Sequence, residues 1–194
     1  MVQLVGDVKN RVKRLPKPSN VADGLQPIFE AVSNAMHAIY DLHGENSDKH
    51  GEVIVDFAGI KNSSTYTVHI SDNGVGLEPK RFAAFCTTDT NFKIDRGGKG
   101  VGRLLWLDAF SVIHVESIYR VAGELKKRIF DFGLSGDEPI YNDSEETVKG
   151  DAPTGTSISM KGVQSNSYGT TLPVQFAAIR KPFCLALSCR LFAQ

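Results

Sequence analysis

Cysteine and tryptophan are scarce in this chain, with three and one among 194 residues. Cys86, Cys184 and Cys189 make an odd count without metal-type spacing, so a cysteine-built metal module is excluded. Cys184 and Cys189 fall in an apolar segment and read as core thiols. That usage predicts a reducing, cytoplasmic setting. Long hydrophobic runs are missing too. No segment approaches eighteen continuous apolar residues and the start has no signal-peptide pattern, so no membrane contact is expected. Nor is there an excess of either charge. Lys plus Arg and Asp plus Glu both number 22, which leaves no global field for DNA, RNA or an anionic membrane. Nucleic-acid contact would need a local patch, and the one candidate (Arg11, Lys13, Arg14 and Lys17) reads as a solvated strand face. Internal repeats and low-complexity tracts are absent.

What is present is an ordinary globular composition, 41% hydrophobic and 23% charged, long enough to bury a substantial core. Val2 to Leu15 alternates loosely and predicts a strand or extended arm ending at Pro16. Leu25, Ile28, Phe29, Val32, Met36 and Ile39 recur at three and four, predicting a helix to about Leu42, with Pro27 in its first turn. Asp41 to Gly51 is polar and reads as a loop. Glu52 to Ile60 and Thr65 to Ser71 read as strands joined by a turn at Lys61 to Ser64. Glu78-Pro79 starts a short helix to about Phe85. Cys86 to Arg96 lacks periodicity and reads as a lid. Gly102 to Phe110 is a helix with Trp106 in its core, and Ser111 to Tyr119 pairs with Glu124 to Phe132 around Ala122-Gly123. Gly133 to Asp151 is acidic and turn-rich, an exposed excursion. Gly155 to Met160 is a strand, and Leu172 to about Phe192 predicts a closing helix.

Four polar or glycine-rich boxes stand out against this background. Glu30, Asn34 and His37 fall close to one line on the first long helix, where Ala31, Ala35 and Ala38 thin one side and admit another backbone or a ligand. Asp72-Asn73-Gly74-Val75-Gly76 closes the second strand. It is either a plain Asx turn or a buried acceptor at a strand end, where ligands sit against a sheet. Gly97 to Gly102 places four glycines in six residues directly before a helix, a spacing that lets main-chain N–H groups and a helix N-terminus approach a phosphate. Gly155-Thr156 opens a later strand. His69 reads as an outward or satisfied sheet residue rather than a ligand.

In order, Glu-x-x-x-Asn-Ala from Glu30 to Ala35, Asp-x-Gly-x-Gly from Asp72 to Gly76, Gly-x-Gly-x-Gly at Gly98, Gly100 and Gly102, and Gly155-Thr156 resemble the ATP-binding domain of the GHKL superfamily. That group includes DNA gyrase, heat-shock chaperones, histidine kinases and MutL. The resemblance implies an α+β Bergerat fold: a two-layer sandwich with a mixed β-sheet, helices packed on one face, and ATP between them. It implies that Asp72 accepts the adenine amino N–H, that Gly74 and Gly76 admit the base, and that Thr156 supports Asp72 or a bridging water. It implies that Asn34 gives its amide oxygen to Mg²⁺. The amides of Gly98, Gly100, Val101 and Gly102 would hold phosphates, with Lys99 adding a point charge.

Glu30, four residues before Asn34, stands where the hydrolytic members carry a general base, whereas histidine kinases typically carry Asn. His37 departs from the pattern, since hydrolytic relatives often have Asp there. The expectation is therefore one GHKL-type domain over residues 1–194, the N-terminal part of a longer protein whose downstream domain completes the site. It would act as a slow ATPase and a nucleotide-dependent homodimerisation switch that binds ATP and ADP. The competing expectation is a nucleotide-binding sensor or interaction module without turnover.

Overall fold

The computed structural model describes residues 7–87, 102–135, 138–175, 177–179 and 190–193. Helix α1 (Val8–Lys13) is followed by α2 (Val21–Gly24), α3 (Gln26–His43), a 3-10 turn over Gly44–Asn46 and α4 (Ser47–His50). Strands β1 (Val53–Ala58) and β2 (Thr67–Asp72) lead into α5 (Pro79–Cys86) and α6 (Gly102–Ala109). Then come β3 (Phe110–Val121), β4 (Glu124–Phe132), β5 (Ile140–Thr147), β6 (Gly155–Val163), α7 (Tyr168–Thr171) and β7 (Arg190–Ala193). The strands form one sheet in the order β5-β4-β3-β6-β2-β1-β7. All neighbours are antiparallel except β1 and β7, which run parallel, so the sheet is mixed as expected.

Alternation along the central strands makes one face apolar. Val68, Met160 and Ile113 form a row across β2, β6 and β3, and Ile70, Ile158 and Val115 form the next. All six are buried. Helices α1, α3 and α6 pack together on the sheet, with Ile28, Val32, Leu104 and Leu107 in the same core. Phe85 of α5 meets Phe130, Phe132 and Trp106, and Trp106 is a core residue as predicted. The β3–β4 hairpin turns at Ala122 (φ 51°) and Gly123 (φ 86°), the paired positive angles that match strand twist.

Several expectations are corrected. The segment from Val8 to Lys13 is a helix, because the Asp7 side chain caps it by accepting from the Asn10 N–H (3.0 Å) and Val12 inserts into the core. Arg11 and Lys13 therefore sit on a helix, not on a strand face. Asp41–Gly51 contains a 3-10 turn and α4 rather than an open loop. Within Gly133–Asp151 lies an edge strand, β5, held by backbone pairing to β4 although its side chains from Asn142 onward are exposed. Of the predicted closing helix, residues 180–189, with Cys184 and Cys189, lie outside the described residues, and Phe192 belongs to β7 instead. Met36, placed on the apolar stripe by its spacing, is 47% exposed.

Candidate active site

The inner apolar rows of the sheet end in a polar one. Asp72 pairs with Thr156 and Thr156 with Ser117, so three adjacent strands place a carboxylate and two hydroxyls side by side beneath the helices. Asp72 Oδ1 accepts from the backbone N–H of Gly74 (2.9 Å) and of Thr156 (3.3 Å). These two bonds fix the carboxylate without neutralising it. Burial outweighs them and pushes the Asp72 carboxyl up to about 6. A buried carboxylate with one oxygen committed to backbone amides has its second oxygen to offer a ligand N–H.

Glycine is required around it by close approach. A Cβ on Gly74 would lie 2.5 Å from the Ala38 carbonyl carbon and 2.7 Å from the Ala38 Cβ. The Val75 N–H donates to the Ala38 carbonyl (3.2 Å), so the turn after β2 is seated on α3 where the alanines thin it. Gly76 has φ +74°, and a Cβ there would lie 2.3 Å from the Ile118 carbonyl oxygen. A Cβ on Gly155 would approach the Asp72 carbonyl oxygen to 2.0 Å, so only glycine lets β6 begin beside the end of β2. Thr154 Oγ1 donates to the Gly74 carbonyl (2.7 Å) and ties the two segments together.

Two helices meet at the other end. A Cβ on Gly102, the first residue of α6, would lie 2.1 Å from Glu30 Oε2, so the Glu30 carboxylate rests directly against the start of that helix. Asn34 follows one turn along α3 and is half-buried, and one further turn brings Ala38 to Gly74. Eight residues of helix therefore carry the site from the start of α6 to the Asp72 turn, about 12 Å at 1.5 Å per residue. His37 is half-buried on the same helix. The structure thus brings Glu30, Asn34, Asp72, Gly74, Gly76, Gly102 and Thr156 around one surface. Gly98, Lys99, Gly100, Val101 and the predicted lid from residue 88 lie outside the described residues.

Ser117 was not predicted. It is 1% exposed, and its Oγ accepts from the Leu77 N–H (2.8 Å) and lies 3.0 Å from both the Gly155 carbonyl and Thr156 Oγ1. The available signal was a lone hydroxyl in the inward series Ile113, Val115, Ser117, Tyr119. Asn73, inside the Asp-x-Gly-x-Gly box, is structural: it accepts from the Glu52 N–H and donates to the His50 carbonyl, both at 2.8 Å. His69 is a satisfied sheet residue as expected, with Nδ1 2.9 Å from Ser159 Oγ.

Comparison with solved structures decides the architecture. The ATPase region of Saccharomyces cerevisiae topoisomerase II superposes with a TM-score of 0.62 at 12% identity, over 99% of this chain and 60% of that one. The chain shares the fold of that region. The same region bound to dexrazoxane gives a TM-score of 0.63 at 13% identity, with the same coverage. This chain spans 60% of the length of those structures. No protein-family profile matches the sequence, and no curated protein matches it. Among the described residues, no helix is long and apolar enough to cross a membrane.

Proposed function

We propose that this chain binds ATP with Mg²⁺ and hydrolyses it slowly to ADP and phosphate, as a nucleotide-dependent dimerisation switch. The observation that carries this reading is the buried, amide-anchored Asp72 at one end of α3, with Glu30 against the start of α6 at the other. Asp72 accepts the exocyclic amine of the base, and Gly74 and Gly76 let the base approach the backbone. The triphosphate runs along α3 towards α6, whose positive N-terminus favours its charge.

Glu30 takes the proton of the water that attacks the terminal phosphorus, while the bond to the ADP oxygen breaks. Asn34, one turn away, offers a neutral amide oxygen. Mg²⁺ suits that position, because it keeps most of its waters and binds phosphate oxygens together with one or two protein oxygens. When bound, it draws charge from the phosphates. Lys99 and the amides of Gly98, Gly100 and Val101 complete the phosphate contacts. A downstream domain, consistent with the greater length of the topoisomerase II structures, couples turnover to work.

Calorimetric titration with ATP and Mg²⁺ tests the site. The parent should bind and the Asp72→Asn variant should lose at least about a hundredfold in affinity, the loss expected when a charged acceptor is removed. Equal binding by both proteins would overturn the assignment of Asp72. Phosphate release should then fall in Glu30→Ala while ATP binding persists. Unchanged release in that variant would reject Glu30 as base. Absence of release from the parent would favour a binding module without turnover.

A further inference from the structure

The Ser117 hydroxyl carries three contacts, and their chemistry fixes where each proton lies. A serine hydroxyl has one proton and two lone pairs. The Leu77 N–H can only donate to it, and the Gly155 carbonyl can only accept from it. The Ser117 proton is therefore committed to Gly155, and one lone pair to Leu77. Thr156 Oγ1, at 3.0 Å, meets the remaining lone pair and must be the donor. This is the one arrangement that satisfies all three contacts of a side chain removed from water. Thr156 has then used its only proton towards the protein. What remains on its oxygen is lone pairs, beside the Asp72 carboxylate in the adjacent strand.

We propose that Ser117 is a positioning residue that holds Thr156 as a hydrogen-bond acceptor, so that Asp72 and Thr156 together select a 6-amino over a 6-oxo purine. The inference rests on the ATP-site reading above and adds to it the origin of base selectivity. A 6-amino group has two protons, one for each acceptor. A 6-oxo group has none and places its oxygen against two others. Were Thr156 free to rotate, its proton could turn outward and welcome the oxo group, and discrimination would rest on Asp72 alone.

Calorimetric affinities for ATP and inosine triphosphate, which carries a 6-oxo group and an N1–H, provide the test. They are compared in the whole chain with Mg²⁺ for the parent, Ser117→Ala, Ser117→Cys and Thr156→Val. The parent should prefer ATP. Ser117→Ala and Ser117→Cys should narrow that preference by about tenfold, the size of one hydrogen bond gained by the oxo group. Thr156→Val should narrow it as well, and adding Ser117→Ala to Thr156→Val should change the ratio no further. Folded serine variants that keep the parent's ratio would show that Ser117 is only structural. If neither serine variant folds, an unchanged ratio in Thr156→Val overturns the proposal. A parent that binds ATP and inosine triphosphate equally defeats this inference and leaves the ATP site standing. A parent that binds neither defeats the site reading and this inference with it.

Discussion

Asp72 and Asp131 are the same residue on opposite faces of one sheet, and their surroundings pull them in opposite directions. Asp72 ends the inner rows of β2, where burial lifts its carboxyl to about 6 against two amide hydrogen bonds. Asp131 lies on the open face of β4. Burial disfavours its charge as well, but hydrogen bonds from His114 (2.7 Å) and Asn142 (2.7 Å) outweigh that and hold its carboxyl below the ordinary value. The open face continues through Ser159 and His69, which pair with each other, and through the Glu116–Lys127 ion pair. Polar groups there are satisfied by one another. On the inner face the polar row is anchored, among the described residues, to the backbone and to itself, which leaves Asp72 with unspent affinity for a ligand. Role follows burial and partner geometry, not residue type.

Binding separates the two aspartates most sharply. Against the loss of about a hundredfold or more expected for Asp72→Asn, Asp131→Asn should leave the ATP affinity of the parent unchanged in the same titration. Stability gives the next largest effect. Gly155→Ala places a Cβ 2.0 Å from the Asp72 carbonyl oxygen and should destabilise the fold by about 3 kcal/mol in denaturant melts, as overpacking does. Removing the inner charge should do the reverse. Asp72→Asn should stabilise the ligand-free protein at pH 7 by on the order of 1–3 kcal/mol, because burial of an ionised carboxylate is relieved.

The sign of the pH dependence also distinguishes the faces. The raised carboxyl of Asp72 makes the native state bind more protons than the unfolded chain between about pH 4 and 6. Its contribution to stability is present below that window and is lost as pH rises through it, a slope that should vanish in Asp72→Asn melts. Asp131 acts oppositely. Its depressed carboxyl contributes stability above the ordinary carboxylate range, and that contribution is lost as pH falls through its folded value. ATP affinity should weaken about tenfold per pH unit below about 6, where Asp72 takes up a proton and ceases to accept. Smallest of all, Lys127→Ala breaks an open-face pair with Glu116 and should change stability by less than about 1 kcal/mol.

A different kind of ion pair lies at the back of the core. Asp108 at the end of α6 is 5% exposed and is met by Lys17, which reaches it from the segment after α1. Lys17→Met would leave that carboxylate buried without its partner and should cost about 3 kcal/mol in thermal melts. Lys17 is one of the four basic residues near the start whose charge read as solvated. Its partner stands 91 positions away, so no local pattern in the sequence could pair them.

Much of the fold was legible because it is written in periodicity. Helix α3, the β1–β2 pair, α5, α6, the β3–β4 hairpin and the start of β6 all follow from side-chain spacing and turn residues. The two strands that were not foreseen lie at the edges of the sheet. Strand β5 is polar and exposed, and strand β7 is completed by parallel pairing to β1, so backbone partners rather than side-chain patterns define both. Helix α1 was misread because Val2, Leu4 and Val8 imitate alternation, while the capping role of Asp7 needs only one side chain.

The sequence alone determined the four boxes, their order and the apolar faces that oppose helix to sheet, since these depend on residue type at fixed spacing. Tertiary structure alone decided which groups share a row. The register across β2, β6 and β3 sets Ser117 beside Thr156 and Thr156 beside Asp72. Packing of α3 against α6 set Glu30 against Gly102. Such contacts join residues 39 to 84 positions apart, and chain spacing carries no information about them until hydrogen-bond register and core burial fix one arrangement.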